Sequence, residues 1–464
     1  MSSRSLFRLA LLAGCASFST AVQAQGLSAD DVAALRAEIA ALRAQVQALE
    51  ARVGEAESEA SSASAEASAA AASAQSTQVA VEEARKEAPV IKFKGAPQIS
   101  DGKGWSFKPR GRLLFDAAYV DAPSGVSDAG LGFSKEVRRA RLGVDGTMPG
   151  GFGYKFEIDF SGSETEMTDA FLDYSDKGLT ITVGQHNVFQ GLEELTSSND
   201  TSFIERAAFT DAFNFRRRVG LSAQYQTGDW LVQGGLFSDN ALDLGDDGNK
   251  SYSVDGRIVF APVVGGNQLH FGMSGHWRDL GSSIASVRYR QRPEDHSTDV
   301  RFIDTGSITD ATSETGYGLE AAIIAGRFHA MGETHWQRVG RSGFANPTFF
   351  GGAVEAGLFL TDDRREYKNG IFKGVKVANP VGQGGMGAWQ VNLRYDRLDL
   401  SDAGIVGGKQ NSYTASLIWT PVDHIRFLID YAHLDYVDVV EILAIGTDRS
   451  YGVDAIGARA QLSF

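Results

Sequence analysis

Tyr154-Lys155-Phe156-Glu157-Ile158-Asp159-Phe160 is the stretch on which the fold turns. Apolar residues hold every second position and charged residues hold the rest. An extended strand therefore carries the two sets on opposite faces. The pattern recurs further along the chain. Leu269, Phe271 and Met273 lead to Trp277, with His270 and His276 on the other face. Trp389, Val391, Leu393 and Tyr395 alternate with Gln390, Asn392, Arg394 and Asp396. Ile425, Phe427, Ile429 and Tyr431 alternate with Arg426 and Asp430, while Leu428 breaks the polar side. About seventeen such segments follow Trp105, separated by Gly, Asp, Asn and Ser clusters.

Each face of such a strand needs its own solvent. A soluble β-sandwich buries the apolar face in a core. A transmembrane barrel turns it to lipid and lines its lumen with the charged face. Strands of about ten residues ending in aromatics favour the barrel, as at Trp105, Tyr119, Trp230, Trp336, Trp389 and Trp419. Ala458, Ala460, Leu462 and the terminal Phe464 share one face. Residues 105–464 leave about 22 residues per strand for sixteen strands, enough for a short turn on one side and a longer loop on the other.

Composition agrees. The chain has 464 residues, and no run of 18 apolar residues occurs beyond the first 25, which argues against membrane helices. With 53 Gly, 10 Pro and 10% aromatics it does not read as disordered. A net charge of -14 makes a nucleic-acid partner improbable. The single cysteine, Cys15, excludes disulfides and thiol metal sites.

Arg4 and Arg8 precede an apolar stretch running to about Ala21, and Val22-Gln23-Ala24 precedes Gln25. Residues 1–24 read as a secretory signal peptide. Leu12-Ala13-Gly14-Cys15 matches a lipobox, so lipidation at Cys15 is the rival, and both readings export the protein.

Apolar residues at Val32, Leu35, Ile39, Leu42, Val46, Leu49 and Val53 repeat with spacings of 3 and 4, and the register continues in alanines to Ala88. Asp31 faces Arg36, Glu38 faces Arg43 and Arg52 faces Glu57 across a parallel homo-oligomer. Residues 27–88 are thus expected to form a periplasmic coiled-coil stalk, in which 32–88 would make a rod on the order of 85 Å long. The alternative is a solvated Ala-rich helix. Pro89 ends it, and 89–104 reads as a linker.

Basic residues gather in three places. Arg139 and Arg141 share a strand face, with Arg138 on the other face or at the strand end. Arg216, Arg217 and Arg218 enter the strand at Val219. Arg288, Arg290 and Arg292 are spaced by two, which puts them on one face of a strand. Three arginines facing lipid are costly, so that face belongs to the lumen unless the segment is a solvated loop, which Gln291 and Pro293 would favour. His270, His276, His329 and His335 read as polar wall rather than a metal site, and Asp246-Asp247-Gly248 as a solvated loop tip. No cofactor is expected, and no catalytic spacing stands out, so an enzyme has no candidate residue.

The barrel segment resembles the phosphate-selective porin O and P family. The resemblance rests on Gly111-Arg112-Leu113, Arg138-Arg139-Ala140-Arg141-Leu142, and Gly184-Gln185 before Gly191-Leu192-Glu193. It continues in Thr196-Ser197-Ser198, Phe203-Ile204-Glu205-Arg206, Gly387-Ala388-Trp389, Leu393-Arg394-Tyr395 and Asp396-Arg397-Leu398. It implies a homotrimeric, sixteen-stranded antiparallel barrel in the bacterial outer membrane, narrowed by an inward loop and lined by an arginine ladder for small anions such as phosphate. Arg112, Arg138, Arg139 and the Arg288-x-Arg290-x-Arg292 row match ladder positions, and Asp169, Ser197 and Ser198 match the constriction. Phosphate-selective members carry Lys where this chain has Glu194. An alternative is therefore a general porin, or one for another solute, whose coiled coil also tethers the membrane to peptidoglycan.

Overall fold

A computed structural model describes residues 28–126, 130–243, 250–282, 284–439 and 448–464. The export segment 1–24 and Asp246-Asp247-Gly248 lie outside the described residues. The chain divides into two compact units, one ending at Ala88 and one beginning at Pro89.

The first unit is α1 (Ala29–Glu87). Ser28 caps it, its hydroxyl accepting from the Asp31 backbone N–H at 3.3 Å, and Asp30 and Asp31 sit at the positive end of the helix dipole. Leu35, Ile39, Leu42, Val46, Leu49 and Val53 are all exposed on the single chain.

The second unit opens with a hairpin of Val90–Lys94 against Ala96–Ser100, reversing at Gly95 with φ of 78°. The stretch expected as a bare linker is thus partly paired, because Gly95 adopts the left-handed conformation a tight reversal requires. Sixteen barrel strands follow: β1 (Ser106–Asp121), β2 (Gly132–Met148), β3 (Phe152–Asp159), β4 (Glu166–Asp176), β5 (Leu179–Asn187), β6 (Arg217–Thr227), β7 (Trp230–Phe237), β8 (Tyr252–Phe260), β9 (Asn267–Asp279), β10 (Ala311–Ala325), β11 (Phe328–Arg341), β12 (Thr348–Phe359), β13 (Ala388–Asp402), β14 (Ile405–Val422), β15 (Ile425–Val437) and β16 (Tyr451–Ser463). Each pairs antiparallel with the next, and β16 pairs with β1, closing the cylinder. The hairpin and a two-residue strand at Val263–Val264 bring the sheet to 19 strands among the described residues.

Burial alternates along the strands with an inverted chemistry. On β13, Gln390, Asn392, Arg394 and Asp396 are buried while Val391, Leu393 and Tyr395 are exposed. Polar side chains inside and apolar ones outside are the signature of a wall between lipid and an aqueous lumen. The seam is tight. Gly111 and Phe464 exchange backbone hydrogen bonds of 3.1 and 2.9 Å, and the Phe464 ring covers the space a Cβ at Gly111 would fill.

Most turns at the end holding the barrel termini are tight, for example residues 149–151 and 326–327. One is not. Residues 360–387 carry a hairpin of Glu366–Lys368 against Ile371–Lys373 that turns at Asn369-Gly370, both at positive φ. It folds into the barrel: Arg257 of β8 donates to the Gly370 carbonyl at 2.9 Å, and Tyr367 meets His270 of β9 at 2.6 Å. From the opposite end, residues 188–216 and the described residues of 280–310 also fold inward. Phe209, Phe213, Phe302 and Tyr436 belong to one buried apolar cluster inside the barrel.

Candidate functional site

The connection 188–216 is fastened along its length. Within it, α2 (Leu192–Leu195) is held at its carbonyl end by Arg206, which donates to the backbone oxygens of Glu193, Glu194 and Thr196 at 3.1, 3.3 and 2.7 Å. The Glu193 carboxylate accepts from the Ala207 N–H at 3.0 Å just before α3 (Ala208–Ala212). The wall supplies the rest. Asp430 accepts from the Ile204 N–H and Asp396 from the Ala208 N–H, both at 2.6 Å. Arg138 holds Glu205 bidentately at 3.0 and 3.2 Å, and Arg459 stands 3.3 Å from the same carboxylate. Burial opposes ionisation of Glu205, yet Arg138 and Arg459 keep its carboxyl below the usual carboxylate range.

Arg394 is the central fastener. Its guanidinium has no exposed side-chain surface, donates to the Glu205 carbonyl at 3.0 Å and to Glu294 at 2.9 Å, and lies 3.6 Å from Glu193. It also stacks over Phe203 at 4.5 Å. One buried cation therefore fixes both inward connections. Arg365 does the same for the third, donating to Ser202 and to the Asp200 carbonyl.

Two of the inserts, 188–216 and 360–387, border a cavity of about 440 Å³ beside strands β1 to β7. Seven cationic side chains line it: Arg112, Arg139, Arg141, Lys155, Arg206, Arg217 and Lys373. Two carboxylates line it, Asp169 and Glu194, and Glu157 and Asp159 stand behind them. Asp169 is shared between Lys155 and Arg217, and Glu157 between Arg112 and Arg141. Arg112 also donates to the Ser198 hydroxyl at 3.0 Å. Arg139 has no ion pair among the described residues, and its Nε is buried without a partner. Lys373 also borders a second cavity of about 850 Å³ nearer the end holding the barrel termini, lined also by Arg364, Lys368 and Lys376.

The structure brings together Arg112, Arg139, Asp169, Glu194, Ser197 and Ser198 at this cavity. Arg138 stands beside it, tied to Glu205. Strict alternation separates Arg138 from Arg139, but the β1–β2 register shifts between Leu114 and Phe115, leaving Arg138 as a bulge residue. Both side chains then point inward. Glu194 is not an isolated negative charge, because its carboxylate lies 3.6 Å from Arg206.

The row Arg288, Arg290 and Arg292 departs from expectation. It lies in the connection between β9 and β10, not on a spanning strand. Arg290–Gln291 pairs locally with Ile303–Asp304, and Pro293 with Glu294 at φ 56° then turns the chain. Arg288 pairs with Asp304, and Arg292 lies 3.4 Å from Asp299. Sequence reasoning passed over Lys155 and Lys373. Lys368-Asn369-Gly370-Ile371 carries a hairpin-turn signature that signals the insert presenting Lys373.

A closed barrel with an apolar exterior and a charged interior narrowed by inward connections is a membrane channel of the outer-membrane type. The chain belongs to the family of phosphate-selective porins O and P, whose profile matches residues 107–464. A protein of unassigned role from Caulobacter vibrioides is 47% identical over 383 residues, 81% of this chain and 77% of that one. Porin O of Pseudomonas aeruginosa is 26% identical over 353 residues, 68% of this chain and 78% of its own. Among solved structures, an anion-selective porin from Comamonas acidovorans aligns with a TM-score of 0.50 at 13% identity, covering 78% of this chain and all of that one. A loop-deletion form of OmpT from Vibrio cholerae aligns at 0.51 with 10% identity, covering 78% and 99%. These last two share the fold.

Proposed function

We propose that this porin passes small anions by passive diffusion through the constriction at Arg112, Arg139 and Arg217. The observation that carries the reading is the charge of that cavity: seven cationic side chains face two carboxylates, and Arg139 has no counter-charge. A permeating anion supplies the missing charge, and the ion pairs of Arg112, Arg141, Lys155, Arg206 and Arg217 keep those sites weak enough to release it. Arginine suits the task because it stays protonated and binds oxyanions through two N–H groups.

Glu194 favours a broad anion pore over a phosphate-specific one, since it stands where phosphate-selective members carry Lys. Ser197, Ser198 and Asp169 complete the site, with Ser198 oriented by Arg112. The chain assembles as a homotrimer. The exposed apolar seam of α1 supports its pairing with other copies in the periplasm, where it can also reach peptidoglycan.

Reversal potential across a planar bilayer under a salt gradient tests the reading. Anion preference is expected, and cation preference would overturn it. Glu194→Lys should introduce block of chloride current by added phosphate, with little block in the parent channel. Equal block in both would show that position 194 does not set phosphate affinity.

A further inference from the structure

The outer wall holds a site that permeation does not use. On β10 to β13, outward positions fall in ladder rows, with Thr334 beside Gly352 and Gly352 beside Arg397. Gly332, Thr334 and Gly352 leave the wall thin there, while Leu319, Phe350 and Val354 rise around them. The result is an outward-opening, mainly apolar groove of about 480 Å³. A Cβ at Gly332 would meet Val354 at 3.6 Å, an ordinary contact, so there is open space beside Gly332, whereas a Cβ at Gly352 would meet the Glu333 carbonyl at 2.9 Å.

Aromatics mark the loop end of this groove. Tyr317 stacks on Trp336 at 5.3 Å, and Trp336 meets Phe350 at 5.4 Å. Such a girdle lies at the headgroup level of a membrane. Basic residues gather there on the outward face. Arg338 is exposed and has no ion pair among the described residues. Arg397 and Lys409 share one carboxylate, Asp399, at 3.7 and 3.5 Å. The neighbouring outward face of β15 and β16 has the opposite character, with Asp435 and Asp454 around His433. The positive charge therefore does not continue onto β15 and β16.

We propose that this groove binds an acyl chain of lipid A, with the lipid's phosphates held by Arg338, Arg397 and Lys409. The long connections of an outer-membrane barrel face the outer leaflet, where lipid A is the anionic lipid. The groove takes a chain that a flat wall would leave unpacked, and the cations take the charge of the headgroup.

The test uses full-length protein, delipidated and mixed with equal amounts of lipid A or phosphatidylglycerol, with bound lipid counted by native mass spectrometry. Lipid A should be retained in preference to phosphatidylglycerol. Gly332→Leu should lower its occupancy by filling the groove, and Arg338→Ala and Arg397→Ala each by about fivefold. Conductance should stay unchanged in all three, because none touches the lumen, and heat-modifiable gel migration reports that the barrel is intact. Equal retention of both lipids, or occupancy unmoved by the variants, overturns the proposal. So does an oligomer that dissociates in Gly332→Leu with lipid occupancy unchanged, which would assign the groove to a second copy.

Discussion

Replacing Arg139 by Glu should abolish anion preference. The substitution changes two unit charges at a side chain that no counter-charge balances. A fixed charge about 8 Å from a permeating ion is worth roughly 2 kcal/mol at an effective dielectric constant near 20, before screening by pore water and salt. The anion-to-cation permeability ratio should therefore fall at least about tenfold, since each factor of ten is about 1.4 kcal/mol. Reversal potential measures it. Arg139→Gln should fall between the two, having lost one charge. A ratio unchanged in Arg139→Glu would mean that ions bypass this cavity. Heat-modifiable gel migration should be retained in both variants, because Arg139 supports no inward connection.

Arg394→Ala should fail in the opposite way, by opening the channel. Arg394 neutralises Glu193 and Glu294 where water is excluded, and its removal leaves both carboxylates without their cation. Breaking a buried pair from one side costs about 3–5 kcal/mol. The loss falls on the inward connections, whose attachment to the wall Arg394 supplies, while the strand ladder stays paired. Single-channel recordings should show larger, noisier openings with weaker ion preference, and denaturant should release the inward connections earlier. Unchanged conductance would show that the remaining fasteners, Asp396, Asp430 and Arg138, suffice. Arg394→Lys should rescue only in part, since an ammonium cannot serve the Glu205 carbonyl, Glu294 and the Phe203 face together.

The barrel was legible in the alternation because a strand's period is short and each segment carries its own signal. The number sixteen came from the family resemblance: alternation alone reads as about seventeen segments, and the length merely accommodates sixteen. What alternation does not carry is the bulge at Arg138, since one extra residue shifts the facing of its neighbours with no mark in composition. The row at Arg288, Arg290 and Arg292 shows the converse. A spacing of two fits any extended segment, and the choice between a spanning strand and a local ribbon rests on contacts with Asp304 that are not local. Inward folding of three connections was the least legible feature. It depends on Arg394, Arg365 and Arg257, wall or insert residues whose partners lie far along the chain. Lys373 reaches the cationic cavity only because Asn369-Gly370 turns its hairpin inside the barrel.

The closing seam has a consequence for how the protein is made. Asp116 and Arg459, joined at 2.6 and 2.7 Å, are 343 positions apart. Until β16 arrives, β1 shows a row of unpaired backbone donors and acceptors, and so does the last strand of any partial sheet. In hydrocarbon each such group costs several kcal/mol. A half-built wall is therefore not a viable resident of the bilayer, and insertion cannot proceed strand by strand as the chain emerges. The wall can close only once residues near Phe464 are in place, and until then both edges must be sheltered by something other than lipid.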